Sequence, residues 1–290
     1  RAFQLLVALV LGVPMGAWVW SLGGRAEVTH ALVEYASFIA LLFALFVVSG
    51  GVFVAGDIQA TPRNNTIFLG VGAVLASLIG TTGAAMLLVR PLLNTNRERK
   101  QKVHTVVFTI LVVANCGGLL TPLGDPPLFL GLLRGVPFLW TLKLFPEWLF
   151  VNGMLLFAYY AVDTLAYQKE EVPDLVRDAT EVKPLSLEGK GSIALLGVIV
   201  AAVALVPSVD LHAIHGGHAS ASAWIPFREI VLLTAAFLSF RFGDRKARFE
   251  DNRFEWGPIQ EVAALFIGIF LTMVPALAYL AQKAPELPLN

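Results

Sequence analysis

The chain has 290 residues, of which 57% are hydrophobic and only 14% charged, and its mean hydropathy is +0.72. A soluble domain carries roughly 45–50% apolar and about 25% charged residues, and here 21 basic and 21 acidic side chains cancel to a formal net charge of zero. These figures exclude a soluble enzyme, a nucleic-acid binder with a basic face and an acidic disordered chain. They leave an all-α polytopic membrane protein whose first partner is the lipid bilayer. A single cysteine, Cys116, excludes a disulfide framework or thiolate cluster.

Apolar runs predict the spans in chain order. Phe3–Trp20 reads as a spanning helix in which GVPMG (Gly12–Gly16) offers a small-residue packing face. Ala31–Val54 follows. Thr66–Leu93 as one straight helix would be about 42 Å long against roughly 30 Å of hydrocarbon, so it tilts, breaks or turns back. Val103–Leu133 carries Gly117, Gly118, Pro122, Gly124, Pro126 and Pro127 in its middle, which no continuous helix survives. Later spans cover Leu144–Tyr167, Ser192–Pro207, Ile225–Phe240 and Pro258–Gln282. Most charge falls in 90–102, 169–190 and 241–255. Cytoplasmic loops are enriched in Lys and Arg, so all three segments are expected inside, with 135–146 and 208–226 outside.

Two segments break the rules for a spanning helix: SLIGTTGAAM (Ser77–Met86) and NCGGLLTPLGDPPLF (Asn115–Phe129). Unpaired backbone costs several kcal/mol in lipid, so irregular chain survives there only against protein or a wet cavity. Secondary transporters use such breaks to hold substrates and coupling ions at the midplane. Asp125 adds a carboxylate to the second break, and a charge at the bilayer centre costs on the order of 2.5–3.5 kcal/mol even on the lenient scale. Other acids read more plainly. Asp57 is expected in a solvated turn, Glu34 near the interface, Glu147 beside Trp148 in an aromatic belt, Asp163 near the cytoplasmic end, and Glu261 in a helix first turn. His212, His215 and His218 in a Gly/Ser-rich loop read as solvated, with a metal site as the sharper alternative.

The stretches Ala76–Leu93, Asn115–Phe138 and Trp256–Leu277 together resemble a bacterial group of sodium:proton antiporters. That group is similar to the NhaD type and belongs to the ion transporter superfamily with arsenite, citrate and dicarboxylate carriers. The resemblance implies an inverted-repeat secondary transporter with a re-entrant hairpin and broken helices. The first repeat would occupy 1–168, with its hairpin at about 66–93 and its broken helix at about 103–133. A cytoplasmic linker (169–191) and the start of a second repeat (192–290) would follow. The family's second-repeat strings Asp-Asn-Ala-Pro-Thr and Asn-Thr-Tyr-Ile-Gly-Asn-Gly-Pro-Asn are absent, so the first repeat is expected complete, the second partial and the chain truncated at both ends.

The same resemblance makes Gly80, Thr81, Thr82 and Gly83 the hairpin tip, and Asn115, Gly117, Gly118, Thr121, Gly124 and Asp125 the broken helix. The expected activity is Na⁺/H⁺ antiport across a bacterial inner membrane, by a multi-pass carrier rather than an enzyme. Thr81, Thr82, Asn115 and Thr121 would hold Na⁺ and Asp125 would take the proton, with no cofactor and no nucleic acid involved; relatives imply a homodimer. An organic-anion (citrate or dicarboxylate) or arsenite carrier is the alternative, and an intramembrane metalloenzyme at the His loop a distant third.

Overall fold

The computed structural model describes residues 2–180, 182–209, 214 and 221–283. His212, His215 and His218 therefore lie outside the described residues. The apolar runs form helices because a backbone in lipid must satisfy its own hydrogen bonds. In order they are α1 (Ala2–Ser21), α2 (Arg25–Ser49), α3 (Pro62–Ile79), α4 (Thr81–Thr95), α5 (Val103–Val112), α6 (Pro126–Leu133), α7 (Phe145–Tyr167), α8 (Val172–Thr180), α9 (Lys190–Leu205), α10 (Phe227–Phe242) and α11 (Gly257–Lys283). Among the described residues, four helical segments are long and apolar enough to cross a bilayer: Arg25–Ser49, Val103–Leu120, Phe138–Tyr167 and Gly257–Leu280. The chain divides into two compact units, one of Arg1–Phe43, Pro207–Ile230 and Glu255–Asn290, the other of Ala44–Val206 and Val231–Phe254.

In the first unit α1 packs on α11 through small residues. A Cβ on Gly12 would sit 3.1 Å from the Gly268 Cα, and one on Gly268 would sit 2.8 Å from the Ala8 Cα. The small-residue face read from GVPMG is this interface. Farther along, Tyr35 on α2 donates to the Ala263 carbonyl (2.9 Å), and Phe38 lies 4.8 Å from Phe266 and 5.7 Å from Phe270 between ring centroids. Glu34 is buried.

The second unit holds the hairpin and the break. Thr66–Leu93 does turn back. Thr61 caps α3 by accepting from the Asn64 N–H, Pro62 occupies the first turn, and Gly80 at φ +81° reverses the chain into α4. The hairpin is zipped at its base, where Asn65 and the α4 cap residue Asn96 exchange two amide hydrogen bonds of 2.8 and 3.0 Å. Below them Arg99, 2% exposed, pairs with Asp163 of α7 at 2.7 Å and donates to the Ala60 carbonyl. Burial alone would lower the Arg99 pKa, but the Asp163 hydrogen bond and charge hold it above its usual range. His104 meets the same carboxylate at 2.6 Å. Asp163, expected only to sit near a helix end, is the anchor of this cluster.

Two short strands were not anticipated. Phe53–Asp57 (β1) pairs antiparallel with Lys183–Glu188 (β2), Phe53 opposite Glu188 and Asp57 opposite Lys183. Asp57 is consequently buried, within 3.9 Å of Arg97, rather than in a solvated turn. The expectation failed because the strand that covers it lies about 130 residues away. Arg248 nails the 246–251 turn to the end of α2. It is 1% exposed, donates to the carbonyls of Val47 (2.5 Å) and Ser239 (2.8 Å), and lies over Phe240 and Phe254. Burial pushes its guanidinium down to about 10. The charged stretches 94–102 and 169–190 meet through Lys100 hydrogen-bonded to Glu171, and Arg253 of 241–254 lines one cavity with Arg97 and Lys183.

Gly268→Leu should overpack the α1–α11 contact and cost about 1–3 kcal/mol, read as a lower thermal midpoint of the detergent-solubilised chain. Asp178 offers a pH test, because burial, ahead of the Ala60 hydrogen bond that opposes it, raises its carboxyl pKa. A raised folded-state value gives stability present below the unfolded carboxyl value and lost as pH rises through the folded one. Asp178→Asn keeps an acceptor for Ala60 without the charge, so the difference in midpoint should move in the variant's favour as pH rises from about 4.

Candidate functional site

The break in Val103–Leu133 has three parts: α5 ends at Val112, a 3₁₀ turn covers Cys116–Leu120, and α6 begins only at Pro126. Between the last two, Thr121 and Asp125 are extended. The backbone groups freed there are taken up one by one. Ser77 of α3 donates through Oγ to the Gly117 carbonyl (2.5 Å) and accepts from the Leu120 N–H (3.2 Å). Thr121 donates through Oγ1 to the Ser77 carbonyl and accepts from the Leu123 N–H (3.2 Å). Thr141 donates to the Leu120 carbonyl (3.0 Å).

From α7, Trp148 donates through Nε1 to the Gly117 carbonyl (3.0 Å), and Asn152 donates through Nδ2 to the Cys116 carbonyl (3.2 Å). Trp148 is 7% exposed, so it belongs to this clasp and not to an aromatic belt. Asn152 sits one turn later on the same helix face, 2% exposed, with its Oδ1 buried and lacking a hydrogen-bond partner. Asn152 and Thr141 escaped the sequence reading, and Trp148 entered it only as a belt residue. Their types are ordinary in a membrane helix, and only the position of the break across from them gives them a task.

The hairpin tip meets the break at its far end. The Thr81 N–H and Oγ1 both donate to the Gly124 carbonyl, at 3.4 and 3.3 Å. Two glycines make that approach feasible. A Cβ on Gly118 would sit 2.7 Å from the Thr81 Cγ2 and 3.1 Å from the Asp125 Cγ and Oδ1, and one on Gly124 would sit 1.8 Å from the Gly118 carbonyl oxygen. Gly80, Thr81, Gly118, Gly124 and Asp125 therefore form one junction, with Thr121 and Gly117 beneath it. Gly83 is buried against Ser49 at the end of α2. Thr82 and Asn115 are exposed, and their side chains take no part in the bonds above.

Asp125 is the N-cap residue of α6, a position where a carboxylate normally accepts from the N–H groups at the second and third helical positions. Here the first two helical residues are Pro126 and Pro127, which have no N–H. The third and fourth N–H groups, of Leu128 and Phe129, go to the Asp125 carbonyl instead (3.1 and 3.2 Å). Its side chain makes no cap hydrogen bond. Among the described residues no donor satisfies the carboxylate, which lies half-buried beside Thr81 and Gly118 at the positive end of a helix. The arrangement suits a small hard cation or a proton, since the oxygens of Asp125, Thr81 and the turn carbonyls are hard donors and the hydrogen-bond partners that build the junction are neutral. Among the described residues no group of three or more His, Cys, Asp or Glu is placed to hold a metal ion.

A family model described as "Putative citrate transport" matches residues 2–288, and the chain belongs to that family of membrane transporters. No curated protein and no solved structure matches the chain.

Two glycine variants separate the roles of backbone and side chain. Gly124→Ala drives a methyl into a carbonyl and should destabilise by about 1–3 kcal/mol or more. Gly118→Ala presses on side chains that can rotate, so its thermal midpoint should stay near wild type while ion-dependent transport falls.

Proposed function

We propose that this member of a citrate-transport family is a cation-coupled secondary carrier of citrate or a related polycarboxylate, and that the Thr81–Gly118–Asp125 junction holds the coupling ion. One observation carries the reading: the DPP sequence strips Asp125 of the backbone donors that would otherwise satisfy it. A half-buried carboxylate left without donors gains most from a bound cation or from its own proton. Either occupant excludes the other, which links ion and proton movement through one group. Thr81 Oγ1 and the carbonyls of Gly118 and Gly124 are neutral oxygens at the same junction. Thr82 would join only through a rearrangement of the tip, and Asn115 only through one of the break.

In this reading the hairpin and the broken helix are half of an inverted-repeat site, and residues 192–290 open the second repeat. The carrier works in a bacterial inner membrane with its charged end toward the cytoplasm, as the Lys/Arg distribution favours. A second reading, Na⁺/H⁺ antiport without an organic substrate, draws on the same junction. It is favoured by the neutral lining, because a bound tricarboxylate would want a guanidinium or ammonium that the junction's contacts do not include.

Proteoliposomes decide between them. Uptake of citrate driven by an inward Na⁺ or proton gradient supports the first reading; gradient-driven proton movement indifferent to citrate supports the second. In either case cation and proton compete at Asp125, so apparent cation affinity should fall by up to about tenfold per pH unit on acidification. Asp125→Asn should abolish that dependence and the coupling with it. Coupling that survives the substitution overturns the role given to this carboxylate.

A further inference from the structure

At the charged end of the second unit, away from the junction, the β1–β2 ribbon, the end of α4 and the 251–253 turn enclose a cavity of about 590 Å³. That is the size of a small-ligand pocket. Four cations line it: Arg90, Arg97, Lys183 and Arg253. Arg97 is engaged by Asp57 and Glu98. Among the described residues, Arg90, Lys183 and Arg253 have no ion-pair partner. Like charges gathered around one space without partners repel each other, so the cavity carries an excess of positive potential that an anion would relieve.

Arg253 supplies an independent sign. Its φ of +43° is the only positive value at a non-glycine residue among those described. A non-glycine held there is strained, and strain of this kind persists only where surrounding contacts over-determine it. Those contacts are present on both sides. Asn252 donates to the carbonyls of Gly50 (3.0 Å) and Val52 (2.6 Å), and the Phe254 N–H donates to the Arg248 carbonyl (2.9 Å). These bonds clamp the turn on both sides of Arg253, whose exposed side chain lines the cavity.

Phe53, Val54 and the exposed Leu93 at the end of α4 also line it. A site lined by both cations and hydrocarbon, at the end of an apolar helix, matches an amphiphile. Asp251 also lines it, and its Oδ2 is buried without a hydrogen-bond partner, so a hydroxyl-bearing headgroup would give that carboxylate a donor. We propose that this cavity binds the phosphate of an anionic phospholipid headgroup on Arg90, Lys183 and Arg253. It lies on the face that loop charge assigns to the cytoplasm, where anionic lipid is available.

The test is thermal unfolding of the full purified chain in low-salt detergent with added phosphatidylglycerol, phosphatidylcholine, glycerol phosphate or inorganic phosphate. Phosphatidylglycerol should raise the midpoint and phosphatidylcholine should not. Arg90→Gln/Arg253→Gly should weaken the phosphatidylglycerol response on the order of thirtyfold, about fivefold for each cation removed, while Lys169→Gln leaves it unchanged. Arg253→Gly alone relieves the backbone strain, so its lipid-free midpoint should equal or exceed that of wild type, and lost binding cannot then be blamed on lost folding. A shift given equally by glycerol phosphate or inorganic phosphate keeps the phosphate site and assigns it to a soluble anion. Absence of a shift with every phosphate source, or a full shift retained in the double variant, overturns the proposal.

Discussion

Every broken backbone group inside a bilayer has to find a partner in the protein, and that requirement organises the second unit. The 3₁₀ turn Cys116–Leu120 and the extended segment after it release carbonyls and N–H groups that lipid cannot accept. Ser77, Thr121, Thr141, Trp148 and Asn152 take them up from three directions, which fixes α3, α7 and the break against one another. What this arrangement leaves over is the Asp125 carboxylate. Two prolines beside Asp125 remove the donors a capping aspartate would use, so its charge is the one requirement in the junction that the protein does not meet. The helix start and the unsatisfied carboxylate follow from the same short string.

The two ends of the hairpin are built from different interactions. At the base, amide pairing between Asn65 and Asn96 and the Arg99–Asp163 ion pair are fully buried. Breaking a buried pair of this sort typically costs about 3–5 kcal/mol, because the remaining partner is left charged and desolvated. At the tip, the contact consists of two hydrogen bonds near the long limit and the close approach of glycines. Ion pairs on the surface nearby, such as Lys100 with Glu171, contribute little by comparison.

What the sequence disclosed and what it hid divide by range. The breaks were legible because Gly80, Gly117, Gly118, Gly124 and the prolines announce themselves locally, and the excess length of Thr66–Leu93 demanded a reversal. Alignment of the charged loops at one end was also legible, since Lys and Arg follow a rule that needs no fold. Partners remote in sequence were hidden. Asp57 read as a turn residue because nothing near it shows that β2 will cover it; Trp148 read as a belt residue because its hydrogen-bond partner is 31 positions away. Asp163 drew attention only as an acid, since Arg99 and His104 lie about 60 residues upstream. Thr82 and Asn115 show the converse. Motif membership put them in the site, while the rotation of their helical turns leaves their side chains facing outward.

The contrast between a buried amide-and-ion clamp at one end of the hairpin and sparse long contacts at the other makes the hairpin a cantilever. By these bonds the hairpin should bend less at Asn65 and Asn96 than at Gly80, beyond the Ser77 contacts. If the proposed ion binds here, small adjustments of the tip would meet it while the fixed end keeps its place, and the fold need not loosen as a whole.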